Sequence, residues 1–254
     1  MENNTIELVL IIDKSASMGE LEDDIISGFN TMLKQQAVVG KTIVTTVLFN
    51  DRYELLHNRV AIQNAVLMTN KDYSPMGQTA LHDAIGKTVN KINKAHEKDK
   101  ENDCADRVIF FIITDGQDCA SLYYPIDETR ERIEQLKQNY GWEFLFFCAN
   151  ENSIEGAEKF GIATDHAQDF YTDSEGIASM FSSISDVLAA FRTGEPIKLA
   201  TPQEGNQPNL RDMNRKLVGM LGTLAGVLKE TQHSEDNWVS FSYFNELEKH
   251  WKED

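Results

Sequence analysis

Apolar residues follow two distinct rhythms along this chain. Four runs are almost continuously apolar: Ile6–Ile12, Ile43–Phe49, Val108–Thr114 and Phe144–Cys148. Short runs without polar alternation predict strands covered on both faces, as in a parallel sheet layered between helices. Between them, apolar residues recur every three or four positions. Leu21, Ile25, Phe29 and Leu33 form one stripe within 20–39, and Leu81, Ile85, Val89 and Ile92 form another within 80–95. Sparser stripes mark 127–140, through Ile133 and Leu136, and 174–191, through Ile177, Met180, Phe181, Ile184, Val187 and Leu188. Each stripe predicts a helix that buries one face. Strands alternating with helices predict an α/β architecture: a Rossmann-like open, mostly parallel sheet with helices on both faces and right-handed crossovers. Only Asn50-Asp51-Arg52 separates Ile43–Phe49 from Tyr53–Leu56, too short a link for a helical crossover. That predicts a hairpin and one antiparallel edge strand. A last short strand is expected at 167–171.

The same rhythm divides the chain. The sheet domain is expected to occupy residues 1–192. Residues 193–210 contain Pro196, Pro202 and Pro208 among polar residues and read as a linker. Residues 211–254 read as a helical C-terminal extension, with Met213, Leu217, Met220, Leu224 and Val227 at helical spacing, then Phe241, Phe244, Leu247 and Trp251. Gly219, Gly222 and Gly226 weaken the first of these helices by about 1 kcal/mol each, so it needs a packing partner. Its stripes suit either docking on the sheet domain or a dimer or partner surface.

Composition removes several classes of function. The 254 residues include 24 basic and 41 acidic ones, a net charge of −17, while 41% are hydrophobic. That apolar share supports a core and rules out a wholly disordered acidic polymer. The charge repels phosphate backbones, so no nucleic-acid partner is expected. Cys104, Cys119 and Cys148 form no Cys-x-x-Cys, which argues against a zinc ribbon or a disulfide scaffold. The first apolar run ends at Asp13 and does not read as a signal peptide. The run 217–228 is shorter than the ~20 apolar residues of a membrane span. A cytoplasmic protein without a membrane span is therefore expected.

Candidate chemistry gathers where strands end. The first strand runs into Asp13-Lys14-Ser15-Ala16-Ser17, and another ends in Thr114-Asp115-Gly116. In an open α/β sheet, ligands bind in the crevice at the C-terminal strand ends. Carboxylates and hydroxyls are hard oxygen donors suited to Mg²⁺. A turn-rich stretch, 73–86, leads into a helix and can present the Thr79 hydroxyl. Taken singly, each feature has an ordinary reading: Ser and Asp cap helices, and Asp-Gly makes turns. Val39-Gly40-Lys41-Thr42 imitates the end of a phosphate-binding loop, but Gln35 stands where its first glycine belongs and the segment precedes a strand. The histidines form no metal-binding pair and read as surface or satisfied polar residues. Cys119 lies near the proposed rim, and the charged run 96–106 reads as a solvated loop.

Asp13, Ser15, Ser17, Thr79 and Asp115, in that order and each in its own expected loop, resemble the metal-ion-dependent adhesion site of the von Willebrand factor type A family. The stretch around Thr79 is similar to that of its intracellular bacterial members. The resemblance covers roughly residues 5–192. It implies that Ser15, Ser17 and often Thr79 touch a divalent ion, Mg²⁺ or Mn²⁺, while Asp13 and Asp115 usually hold its waters. It further implies an open coordination position filled by an Asp or Glu of a protein partner, and assembly work that often accompanies ATPases. Asp83, one helical turn after Thr79, is expected to anchor the loop rather than to ligate.

The leading expectation is thus a non-enzymatic, metal-dependent protein-binding module. The rival is a Mg²⁺-dependent phosphohydrolase with Asp13 as nucleophile. It lacks the second Asp that such chemistry needs two residues later, where Ser15 stands. A third reading leaves the metal site vestigial and the tail as a scaffold.

Overall fold

All four continuous apolar runs lie in strands, and the alternation of strands and helices follows the predicted order. The computed structural model describes residues 5–98, 105–149 and 153–199, which belong to one unit. The expected extension 211–254, and the part of the expected linker beyond residue 199, lie outside the described residues.

The strands are β1 (Ile6–Asp13), β2 (Thr42–Phe49), β3 (Tyr53–Ala61), β4 (Arg107–Thr114), β5 (Glu143–Ala149) and β6 (Ala167–Phe170). They form one six-stranded sheet in the order β3-β2-β1-β4-β5-β6. Every pairing is parallel except β2 with β3. The hairpin expectation holds, and β3 extends to Ala61, beyond the predicted Leu56. Apart from buried His57, the extra residues are half-exposed or exposed, and the ladder shifts register near Thr46, which suits an irregular edge strand.

The helices are α1 (Glu22–Gln36), α2 (Leu81–Lys98), α3 (Ile126–Tyr140), α4 (Ser153–Lys159) and α5 (Ser174–Thr193). A 3₁₀ helix, Ala16–Leu21, precedes α1. Alternation along β1 sends Leu8, Leu10 and Ile12 to the face covered by α1 and α5, and Val9 and Ile11 to the face covered by α2 and α3. On the first face α1 and α5 come very close. A Cβ on Gly28 would stand 2.3 Å from the Phe181 ring, so glycine is required there. Past α5, Ile197 and Leu199 are buried in that same cluster, and the Leu199 N–H bonds the Asp165 carbonyl at 2.9 Å.

Two features were not foreseen in the sequence. Helix α4 is too short to show a stripe. At the N-terminal end of β1, Glu7 is fully buried and accepts from Arg59 Nε at 2.9 Å and Nη2 at 3.2 Å, with His96 Nε2 at 2.7 Å. His96 opens the charged run read as a solvated loop, yet it belongs to the last turns of α2, as do Glu97 and Lys98. Among the described residues, no helix is long and apolar enough to cross a membrane.

The order of strands fixes the place of the crevice. From β1 the chain builds outward first through β2 and β3, then through β4, β5 and β6. The direction reverses between β1 and β4, and their C-terminal ends open the gap where α/β sheets bind ligands.

Candidate metal centre

β1 delivers Asp13 to this gap as its last residue. The carboxylate is fully buried, and both oxygens are engaged. Oδ1 accepts the Ser15 N–H at 2.7 Å, and Oδ2 accepts the Thr114 hydroxyl at 2.7 Å. The buried Tyr73 hydroxyl donates to the Asp13 backbone carbonyl at 2.7 Å. The chain then turns into the 3₁₀ helix, which Ser15 precedes without using its side chain as a cap. Instead the Ser15 and Ser17 hydroxyls lie 3.1 Å apart, and Ser17 donates to Asp115 Oδ1 at 2.8 Å. Capping therefore does not account for these serines. Lys14 turns to Glu54 at 2.7 Å, where its charge is matched.

The segment carrying Thr79 is fastened to this turn from both sides. The Met76 N–H bonds the Lys14 carbonyl at 2.9 Å, and the Ala16 N–H bonds the Gly77 carbonyl at 3.1 Å. Buried Asn50 holds the Met76 carbonyl through its amide at 2.8 Å and receives the Ala80 N–H on its own carbonyl at 2.9 Å. Gly77 has φ +77°, and a Cβ there would stand 2.2 Å from Asp51 Oδ1, so only glycine fits. The Thr79 carbonyl in turn accepts the Cys119 and Ala120 N–H groups at 2.9 and 3.1 Å. Its hydroxyl faces Gly116, where a Cβ would stand 3.5 Å from Thr79 Oγ1. Thr79 thus lies on the same edge as Asp115.

Asp83 is an anchor, as expected, but of a different loop. It accepts the N–H groups of Leu122, Tyr123 and Tyr124 at 2.9, 2.8 and 2.8 Å, tying the chain after Asp115 to α2. Asp118 and Ser121 answer by accepting the N–H groups of His82 and Asp83 at 3.2 and 3.0 Å. Ser121 also donates to Asp118. Thr114, Tyr73 and Asn50 are the residues that sequence reasoning did not single out for this site. Thr114 carried a faint signal, a hydroxyl closing an apolar run beside Asp115. Tyr73 and Asn50 act through distant contacts that no local pattern marks.

Burial grades outward across the cluster: Asp13, Ser15 and Thr79 are buried, Asp115 is half-buried and Ser17 is exposed. Burial pushes the Asp13 carboxyl up to about 6, against the opposing bonds from Thr114 and Ser15. Burial also raises Asp115, opposed by the bond from Ser17. Two carboxylates held at a cost in one place fit a cation, which would favour their charged forms. The oxygen spacings fit one as well. Adjacent ligands of an octahedral Mg²⁺ at ~2.05 Å are about 2.9 Å apart. The Ser15–Ser17 and Ser17–Asp115 separations of 3.1 and 2.8 Å bracket that edge. Among the described residues no three His, Cys, Asp or Glu side chains are grouped so as to hold a metal ion by themselves, so this centre is distinguished by its hydroxyls. Cys148, behind the rim, is pushed up to about 12 by burial and stays a neutral thiol. Cys119 is exposed.

No protein-family model matches the sequence, and no curated protein does. Solved structures do match. The PilB minor pilin from Streptococcus sanguinis superposes with a TM-score of 0.53 at 13% identity, over 77% of this chain and 64% of that one. Proximal thread matrix protein 1 from the mussel byssus, in a structure with a zinc-occupied MIDAS motif, gives 0.50 at 15% identity, over 73% of this chain and 48% of that one. A von Willebrand factor type A structure from Catenulispora acidiphila gives 0.48 at 14% identity, over 72% and 42%. This chain therefore spans less than two thirds of each. At such identities the likeness to the pilin and the mussel protein shows the fold alone, an open α/β sheet layered between helices.

Proposed function

We propose that this chain is a non-enzymatic protein-binding module in which Asp13, Ser15, Ser17, Thr79 and Asp115 hold Mg²⁺, or Mn²⁺ in its place. The ion recognises an Asp or Glu side chain of a protein partner. One observation supports the reading: the Ser15 and Ser17 hydroxyls and Asp115 Oδ1 follow one another at 3.1 and 2.8 Å, on loops cross-bonded through backbone groups to the segment that carries Thr79. Few anionic groups would bind the ion directly, so it keeps the electrophilicity to attract an outside carboxylate. The zinc-occupied MIDAS motif of the mussel protein supports a divalent ion at such a place. The cytoplasmic setting, and a partner within an ATPase-containing complex, rest on the resemblance to intracellular bacterial members.

The phosphohydrolase reading is less well supported. A nucleophilic carboxylate needs an oxygen free to attack phosphorus. Asp13 is fully buried, and its two oxygens are bonded to Ser15 N–H and the Thr114 hydroxyl. Ser15, at the position needed for an acid–base carboxylate, cannot serve.

Calorimetric titration of the EDTA-stripped protein with Mg²⁺, with and without a short peptide containing one Asp, tests the proposal. Metal and peptide should tighten each other's binding by the same factor, since linkage is reciprocal. Peptide binding indifferent to EDTA and to Ser15→Ala sinks it. Turnover of generic phosphate esters, lost in Asp13→Asn, would favour the enzyme.

A further inference from the structure

A cavity of about 200 Å³ opens directly beside the candidate metal centre and shares Asp115 and Gly116 with it. Its inner wall is apolar and buried: Leu81 from the start of α2, Phe146 and Cys148 from β5, and Phe160 just past α4. Gly156 brings α4 against this wall so closely that a Cβ there would stand 2.7 Å from the Phe146 ring. The cavity is also lined by Asp115, Asp118, Glu155 and Lys159, with His82 Nδ1 3.7 Å from Asp118. Apart from Asp115, these side chains are not among the five oxygen donors.

Size and charge together narrow the occupant. Small-molecule and cofactor pockets run to roughly 300–1,000 Å³, so this one is too small for a free cofactor and large enough for one side chain. Its apolar wall disfavours a charged guest, which would have to shed its water. With Asp115 engaged at the metal, Asp118 and Glu155 still outnumber Lys159 around the cavity and disfavour a second acidic residue. Continuity with the metal rim requires the guest to arrive on the same chain as the residue bound there.

We infer that this cavity is a specificity pocket taking an apolar side chain of Leu or Met size, close in sequence to the acidic residue that the partner offers to the metal. The inference rests on the proposed metal-dependent binding of a carboxylate. Recognition then has two points. The ion fixes an Asp or Glu, and the pocket selects acidic segments that carry an aliphatic neighbour over acidic segments in general. This gives a strongly acidic protein a way to choose among carboxylates that are common on every protein surface.

The test is selection of a displayed peptide library, with one fixed central Asp and random flanks, on the full chain in Mg²⁺ with elution by EDTA. An aliphatic residue should be enriched about tenfold or more at one flanking position, the scale of burying such a side chain. Cys148→Leu, which fills the pocket from its wall, should abolish that enrichment while Mg²⁺ affinity and EDTA-reversible binding persist. Leu81→Ala widens the pocket and should move the preference to larger side chains. It serves also where Cys148→Leu does not fold, as judged by thermal unfolding. Metal-dependent binders with no flanking preference, or a preference unmoved in the folded variants, overturn the pocket and leave the metal reading intact. No EDTA-sensitive enrichment at all overturns both.

Discussion

Burial keeps the Asp13 carboxyl near 6 rather than its ordinary 3.8, so the metal-free fold favours its protonated form. The sign follows directly. This group's stabilising contribution is complete below 3.8 and is lost as pH rises through about 6. At neutral pH the metal-free protein carries an unfavourable charge costing about 3 kcal/mol. Asp13→Asn should therefore match or exceed the parent in urea unfolding with EDTA at pH 7, and should gain nothing from Mg²⁺, whereas the parent gains. A marked loss of metal-free stability in the variant would contradict this account of the carboxylate. Protons also compete with the ion. Mg²⁺ affinity of the parent should weaken by about tenfold for each pH unit below 6, read by calorimetry across that range. Ser17 offers the complementary case, because it is exposed and bonded only within the cluster. Ser17→Ala should change stability by less than about 0.5 kcal/mol while weakening Mg²⁺ binding by about tenfold or more.

Between residue and molecule, the unit that acts is the set of cross-bonded loops. The Thr79 and Asp115 segments are far apart in sequence, yet Asp83, Asp118, Ser121 and the Thr79 carbonyl lace them together. Asp83→Ala removes three charge-assisted bonds at once and should cost about 2–4 kcal/mol. If the lacing sets the relation between Thr79 and Asp115, Mg²⁺ affinity falls with it. A folded variant of lower melting temperature and unchanged Mg²⁺ affinity would show that each loop is set independently. This is also where legibility in sequence ends. The strands were readable because burial on both faces leaves continuous apolar runs such as Val108–Thr114. The five proposed site residues were picked out by the order in which they resemble a metal-ion-dependent adhesion site, and the fold puts Asp13 at the end of β1 and Asp115 just past β4. Asn50 and Tyr73 were not, since their bonds to Met76 and Asp13 join segments that share no local pattern. Helix α4 was missed because its seven residues span barely two turns, too few for a period to emerge.

Across the whole molecule, stability and function occupy opposite ends of one strand. Asp13 closes β1 at the crevice, while Glu7 stands near its beginning, about 20 Å away at ~3.3 Å per residue. There the buried Glu7 carboxylate is held by Arg59 and His96, joining the edge strand β3, the central strand β1 and helix α2 across the sheet. Such a buried ion pair is demanding, because a buried carboxylate left without its guanidinium is strongly unfavourable. Arg59→Met tests the separation. Both side chains are unbranched at Cβ, so the local backbone at φ 51° is no more strained in the variant. Urea unfolding should show a loss of about 3 kcal/mol, reduced from that of a fully sealed pair by the partial exposure of Arg59. Mg²⁺ affinity at pH 7 should stay within about twofold of the parent, because distant sites without shared partners are energetically independent. A large drop in metal affinity would instead mean that the tilt of β1 is transmitted along its length, and that the two ends of the strand work as one device.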